Sequence, residues 1–441
     1  MSRRSVLRFR PLRYRPERVG DLGGVWAPPY DVIGPDDAAA LRARSLHNIV
    51  RLTNPEGAAP ERHREAARTL ESWLAEGVLG RNERPALYIH RHTFQYGDAR
   101  YTRTGVWGLL RLHPFDAGVV LPHERTMKGP KADRLALMRA CRAQLSPIFF
   151  ICSDPQEELG PTLAELAAGR PLERAEFPAG QSHEIWRVDE PERLERLEGL
   201  LGAQVFLIAD GHHRYETALA YRDGLIDGGA ARTGGRAHEF VLAYVVPEHD
   251  PGLLLLPTHR LIGGGPVDWK GSVLRLSDRF DVVRLQEIDP KAIEERLAEE
   301  KGRPTFVLVP KDVPGGWLLR LRRPDEFTAI SSVALQEVFL SEGVGLSADD
   351  QVERLTYVKD TAAALAAVNS GAAAAVALLA APEVTQVAAA AAVGRRTPPK
   401  TTFFWPKVPT GIALHRIDPQ EELLESSARI GAPEIEDGGT T

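Results

Sequence analysis

The stretch VFLIADGHHRYETAL at 205–219 constrains the fold more than any other part of this chain. A short apolar run ends at Asp210-Gly211, and helix-forming residues follow at once. The chain must therefore pass from strand to helix in one tight turn, which Gly211 permits. The first N–H groups of that helix, over about 212–222, have no internal partner, and with the helix dipole they form an anion site. His212, His213 and Arg214 place side-chain donors at the same end. The dipole contributes about 0.3–1 kcal/mol, and a charge-assisted hydrogen bond from Arg214 about 1.5–3 kcal/mol. The side chains would dominate affinity, and the helix would set geometry. His212 shares a helical face with Glu216, and His213 with Thr217. A blander reading has Asp210 capping the helix and the histidines satisfying core carbonyls. Four adjacent polar groups at one junction favour a site instead.

A second charged cluster is PHERTMKGPKADRL at 122–135. The HExxH spacing of a zinc protease fails, because Met127 stands at its fifth position. Lys128 and Lys131 could reach phosphates, Glu124 could act as a general base, and Asp133 could cap a helix over 134–144. A solvated surface loop is the competing reading. Three proline-fixed loops offer further polar tips. APPYDVIG (27–34) carries Tyr30 and Asp31, LLPTHRL (255–261) carries Thr258, His259 and Arg260, and PPKTTFFWPK (398–407) carries Lys400, Thr401 and Lys407.

Around these loops the pattern alternates between helix and strand, which predicts a mixed α/β protein. A helix is expected over 61–79, and a hairpin from strands at 86–94 and 101–112. Strands follow at 146–152, 205–208, 236–246, 305–309 and 317–321, with helices at 190–201, 333–340 and 360–369. At 441 residues the chain is long enough for two or three domains. The expected organisation is an N-terminal region 1–117, a central region 118–265, a C-terminal region 266–415, and a loose acidic tail 416–441.

Bulk charge excludes some functions. Lys plus Arg is 55 against 60 for Asp plus Glu, a net charge of -5. That gives no basic footprint for nucleic acid, and nucleic-acid binding is not expected. Cys141 and Cys152 are the only cysteines, so a disulfide framework or zinc module is not expected. The apolar stretch 372–393 contains Pro382, Glu383, Thr385 and Gln386, which reads as strand, turn and helix rather than a membrane span. The N-terminus is basic without the apolar run of a signal peptide. A cytoplasmic chain is expected.

APPYDVIGPDD, PHERTMKGPKADRL, ADGHHRYETAL, PTHRL and PPKTTFFWPK, in this order over about residues 8–415, resemble one bacterial and archaeal family, the domain-of-unknown-function family numbered one thousand and fifteen. The 133–219 stretch is similar in layout to the ParB and sulfiredoxin superfamily, and DGHHR looks most like its free-serine kinases. The resemblance implies a ParB/sulfiredoxin-like central domain with N-terminal and C-terminal α/β extensions. It also implies phosphoryl transfer from ATP or ADP, with Mg²⁺, to a small hydroxyl compound such as L-serine. Gly211, His212, His213 and Arg214 would bind phosphates, helped by Lys128, Lys131 and Arg134. Glu124, Asp210 and His213 would form the catalytic set, with Glu124 as base assigned by position. Tyr30, Asp31, His123, Thr258, His259 and Arg260 would face the substrate. Asp210 or Asp31 would be the magnesium ligand. Sulfiredoxin chemistry is disfavoured, because His212 stands where its cysteine would be. Two other readings are a ParB-like nucleotide switch without turnover and a hydrolase whose metal is held by His123, His212 or His213. The partners expected are a nucleotide and a small substrate, with no membrane, and the oligomeric state, including a homo-oligomer, is open.

Overall fold

The computed structural model describes residues 5–124, 129–202, 204–230 and 233–423. They form two units. One is built from the described residues up to 120, from 129 to 252, and from 406 onward; the other from 121–124 and 253–405.

The first unit is organised by the hairpin expected from the alternating pattern. Leu87–Tyr96 and Ala99–Arg111 pair antiparallel from Tyr88↔Trp107 to Tyr96↔Ala99. The turn is Gly97-Asp98, with Gly97 at φ 57°, which a glycine reaches without a Cβ penalty. This hairpin is the middle of a nine-stranded sheet. Its order is Val120–Leu121, Phe206–Asp210, Ile148–Cys152, Phe240–Pro247, Ala99–Arg111, Leu87–Tyr96, Ser182–Val188 and Glu173–Glu176, with Val6–Leu7 also on Ala99–Arg111. Phe240–Pro247 runs parallel to Ile148–Cys152 and antiparallel to its other neighbour, Ala99–Arg111. The expected boundary near 118 falls inside this sheet, because Phe240–Pro247 bonds to Ala99–Arg111. Residues on both sides of that boundary, Val6 to Leu112 and Val120 to Val245, contribute to one core.

That core lies on one face. Leu87, Ile89, Val106, Ile148, Phe150 and Ile208 meet Leu159, Leu163, Leu194, Leu197, Tyr215 and Ala218 from the helices Leu159–Leu166, Pro191–Gly202 and His212–Asp227. Each fully buried Leu, Ile, Val or Phe among them contributes about 1.5–3 kcal/mol. The period of two puts a different set on the other face. His183 pairs with His92, and His92 with Arg103. Together with His90 they are at most 1% exposed. Trp107 Nε1 donates to His90 Nδ1 at 3.3 Å, His90 Nε2 lies 2.8 Å from His183 Nδ1, and His183 Nε2 lies 2.6 Å from the Phe177 carbonyl. One neutral tautomer satisfies all three bonds, each Nε2–H donating onward.

A testable pH dependence follows from this burial. Desolvation pushes His90 and His92 well below the ordinary histidine value of 6.5, and His183 and His415 to about 4. The unfolded chain then binds more protons as pH falls, so stability present above pH 6.5 is lost towards pH 4. Going from 6.5 to about 4 corresponds to about 3 kcal/mol each for His183 and His415. Asp250 is pushed up to about 6, mainly by burial, and acts in the opposite sense over the same range. Four imidazoles outweigh one carboxyl. Thermal unfolding of the first unit is expected at distinctly lower temperature at pH 4.5 than at pH 7.5; equal midpoints would contradict the neutral relay.

The second unit has its own sheet. Its order is Phe280–Leu285, Gly316–Leu321, Thr305–Pro310, Ala375–Leu379, His259–Ile262 and Leu355–Val358, all antiparallel. A separate ribbon joins Leu254–Leu256 to Phe403–Trp405. The 372–393 stretch forms the strand Ala375–Leu379 and the helix Val384–Ala392, as its composition implies. Among the described residues no helix is long and apolar enough to cross a membrane.

Four local expectations are corrected. The helix expected at 134–144 is Gly129–Cys141, so Asp133 is an internal residue and not its cap. Gly129-Pro130 opens the helix, where proline's missing N–H costs nothing. PTHRL is not all loop: His259–Ile262 is a strand bonded on both edges. Between the expected 146–152 strand and 190–201 helix, where no strand is expected, the chain forms the strands Glu173–Glu176 and Ser182–Val188. The tail expected from 416 is held as far as residue 423: Arg416 pairs with Glu71 at 2.6 Å, and Glu421 pairs with Arg81. Its remainder lies outside the described residues.

Candidate functional site

The turn at 210–214 is shaped by a β-bulge. Ile208 pairs with Phe150, but Asp210 pairs with Phe149, so Ala209 is an extra residue in the ladder. Without it Asp210 would share the face of Ile208, inside the apolar core under the helices. The bulge moves Asp210 to the face of Phe149, as bulges beside functional sites do. Gly211 then turns the chain at φ 101°, ψ 31°, and the helix His212–Asp227 starts. A Cβ on Gly211 would stand 3.0 Å from Arg214 Nε, so the missing side chain also makes room for the guanidinium.

Arg214 folds back over the turn. It donates to the Pro147 carbonyl and to Asp210, and Lys407 Nζ donates to the other oxygen of Asp210. All three side chains are at most 16% exposed. Burial raises the Asp210 carboxyl, but Lys407 and Arg214 outweigh it and hold Asp210 well below the usual carboxylate range. Two cations thus share one carboxylate at a helix N-terminus, leaving an excess of one positive charge where the helix already favours an anion.

A cleft opens beside this turn. Tyr30, Thr53, Arg134, Gln144, Ser146, Arg214 and Thr217 line it, and it holds about 60 Å³. Arg134 lies 4.4 Å above the Tyr30 ring, donates to the Thr53 carbonyl at 2.6 Å, and bonds Asp133 at 2.5 Å. Asp133 also bonds Arg62 and, at 2.8 Å, His63. Burial is the main influence raising the Tyr30 phenol, with Arg214 pulling it down, Asp31 raising it, and Arg134 and Asp210 following. Lys131 pairs with Glu216, one turn along the helix. The first unit therefore gathers Tyr30, Lys131, Arg134, Asp210, Gly211, His212, His213 and Arg214. Asp31 is exposed, and Lys128 lies outside the described residues.

His123 and Glu124 belong to the second unit, where other loops named from the sequence meet them. The Lys400 amide donates to Glu124 Oε1 at 2.9 Å. Lys400 has φ 58°, the left-handed region that a non-glycine residue occupies at a cost. Its carbonyl accepts from Arg260 Nη2 at 3.1 Å. Arg260 is fully buried, 4.8 Å above the Tyr357 ring, and burial pushes it down to about 10. The His123 carbonyl accepts from the Thr397 amide, and its Nε2 lies 2.7 Å from Thr402 Oγ1. His259 Nδ1 accepts from the Leu379 amide at 3.1 Å, and its Nε2 meets Thr361 at 3.2 Å. Both ring nitrogens of His259 are thus engaged within the fold, and so is the Thr258 carbonyl, which accepts from Arg260.

Among the described residues no three His, Cys, Asp or Glu side chains gather as a metal site. Asp210, with each oxygen bonded to a cation, does not fit a magnesium ligand in this arrangement. Lys407 lies in the proline-fixed loop 398–407, and its ion pair with Asp210 spans 197 residues, so no local pattern signals it. The same holds for Arg62 and His63 on Asp133.

The family model described as "Protein of unknown function (DUF1015)" matches residues 6–338. The chain belongs to this family. DUF1015 carries no activity in its description, and no curated protein matches the chain. Solved structures similar to this DUF1015 chain include a conserved hypothetical protein from Pyrococcus furiosus, at 16% identity, covering 72% of this chain and 95% of that one, with a TM-score of 0.33. Another is a free serine kinase in complex with AMP, at 16% identity, covering 68% and 86%, with a TM-score of 0.33. A third is SbnI with C-terminal truncation from Staphylococcus aureus, at 10% identity, covering 68% and 84%, with a TM-score of 0.32.

Proposed function

We propose that this DUF1015 chain is a nucleotide-dependent phosphotransferase acting on a small hydroxyl compound, with L-serine giving O-phosphoserine as the first pair to test. The observation that supports it is the turn at 210–214: a bulged strand delivers a helix N-terminus and Arg214 to the edge of a cleft, and Lys407 shares the Asp210 carboxylate with Arg214. Phosphoryl transfer asks a protein mainly for positioning and charge stabilisation, which such a turn supplies. In this reading Gly211, His212, His213 and Arg214 hold phosphates of ATP or ADP, with Lys128 and Lys131 beside them. Arg134 and Tyr30 line the cleft for the nucleotide or the acceptor. Asp31, His123, Thr258, His259 and Arg260 belong to the substrate side directly or by holding its loops. The acceptor oxygen forms a bond to the terminal phosphorus while the bond to the leaving phosphate oxygen breaks. The hydroxyl proton passes to the Glu124 carboxylate, and Asp210 governs how much positive charge Arg214 and Lys407 present. A magnesium ion would arrive on the nucleotide phosphates rather than in a protein cage. The ParB/sulfiredoxin-like layout of 133–219 is part of the same proposal.

The test is purified protein with ATP or ADP, magnesium and a panel of amino acids and other small hydroxyl compounds, read by mass spectrometry. A product heavier by one phosphoryl group is expected, first with serine. Nucleotide binding without product would favour a switch that does not turn over substrate. Absence of both would overturn the reading.

A further inference from the structure

A second cleft in the first unit shares no lining residue with the one beside Arg214. Tyr14, Gly80 and Asn82 form part of its wall, and it holds about 490 Å³. That is the size of a metabolite site rather than of a single bound water. Five arginines line it, Arg13, Arg15, Arg81, Arg84 and Arg187, against the three carboxylates Glu83, Glu173 and Asp189. This is a local cationic excess in a chain whose net charge is -5.

Three of the arginines are matched. Arg13 pairs with Glu173 and lies 5.0 Å above the Tyr88 ring, Arg187 pairs with Asp189 at 3.1 Å, and Arg81 pairs with Glu421. The side chains of Arg15 and Arg84 make no hydrogen bond or ion pair among the described residues. Arg187 Nε is buried without a hydrogen-bond partner. Gly80, opposite Arg13 in the Leu12–Tyr14 and Leu79–Arg81 pair, decides where Arg15 lies. A Cβ at position 80 would come within 2.4 Å of Arg15 Nε, so glycine there lets the guanidinium rest against the strand. Solvated surface arginines would account for one unpaired guanidinium. Two of them, with a buried unsatisfied Nε in the same concave wall, call for an acceptor with several oxygens.

We propose that this cleft binds a small oxyanion of two or more negative charges, carrying phosphoryl or several carboxylate groups. Guanidinium forks match both geometries. The cleft is separate from the phosphate turn, so its occupant is a second ligand and not the nucleotide proposed there.

Calorimetry on the full chain, with and without saturating ADP, uses inorganic pyrophosphate and citrate as probes. Saturable binding of at least one probe is expected, weakened at least tenfold in an Arg15→Gln/Arg84→Gln double variant and weakened again by raising salt. Both side chains are exposed, so the variant should keep its thermal midpoint. Dependence of pyrophosphate on the two arginines identifies a phosphorylated ligand, and dependence of citrate a polycarboxylate. Wild-type isotherms in the double variant, or no saturation of either probe by the wild type, would overturn the proposal. In the proposed function ADP takes the turn at 211–214 and not this cleft, so failure of the nucleotide reading leaves this result interpretable.

Discussion

A Glu124→Gln chain is expected to lose about 10²–10⁴ in turnover, the usual contribution of a positioned general base, while nucleotide affinity stays at the wild-type value. The substitution preserves shape, and a glutamine oxygen can still accept from the Lys400 amide, now 2.9 Å from Glu124 Oε1. The strained Lys400 turn therefore keeps its anchor, and what disappears is the basic carboxylate. The phosphate-binding groups of the proposal sit on the 211–214 turn, so rate and affinity should separate. Serine phosphorylation rates and nucleotide calorimetry on this one variant distinguish three roles. A base loses rate alone, a magnesium ligand loses rate and affinity together, and a bystander loses neither. A rate within tenfold of wild type removes Glu124 as base and moves attention to Asp210 and Asp133.

Asp210→Ala should destabilise the first unit by about 3–5 kcal/mol, because it strips the shared carboxylate from two partly buried cations. Arg214 would keep the Pro147 carbonyl, while Lys407 would lose its Asp210 contact. Asp210→Asn should cost less, since an amide oxygen can still accept from one of them. Urea unfolding measures both, and a loss under about 1 kcal/mol for the alanine variant would show that the three side chains do not act as a unit. The proposed function adds a second readout. A nucleotide phosphate at the turn could replace the missing carboxylate, so ADP should raise the unfolding midpoint of Asp210→Ala more than that of wild type. Equal shifts would mean the phosphates do not reach Arg214 and Lys407.

The sequence by itself determined the elements whose cause is local. The 87–111 hairpin follows from alternation around Gly97, the 206–227 strand and helix from an apolar run broken at a glycine that tolerates φ 101°, and the 375–392 strand and helix from alanine-rich apolar patterning. Each depends on side chains within a few residues of one another, and the family signature ADGHHRYETAL lies on the second of those stretches. Tertiary structure decided the rest. The bulge at Ala209 exists because Phe206–Asp210 must lie against Ile148–Cys152, and that bulge is what takes Asp210 out of the apolar core. Lys407 reaches Asp210 from 197 residues away, and Arg62 reaches Asp133 from 71. The Ser182–Val188 strand hides a buried His183 among charged neighbours, and His259–Ile262 becomes a strand only because Ala375–Leu379 and Leu355–Val358 lie on either side of it. Charge neutralisation and edge pairing are satisfied by whatever the folded chain brings near, so the partners of these residues are written in the packing and not in the spacing.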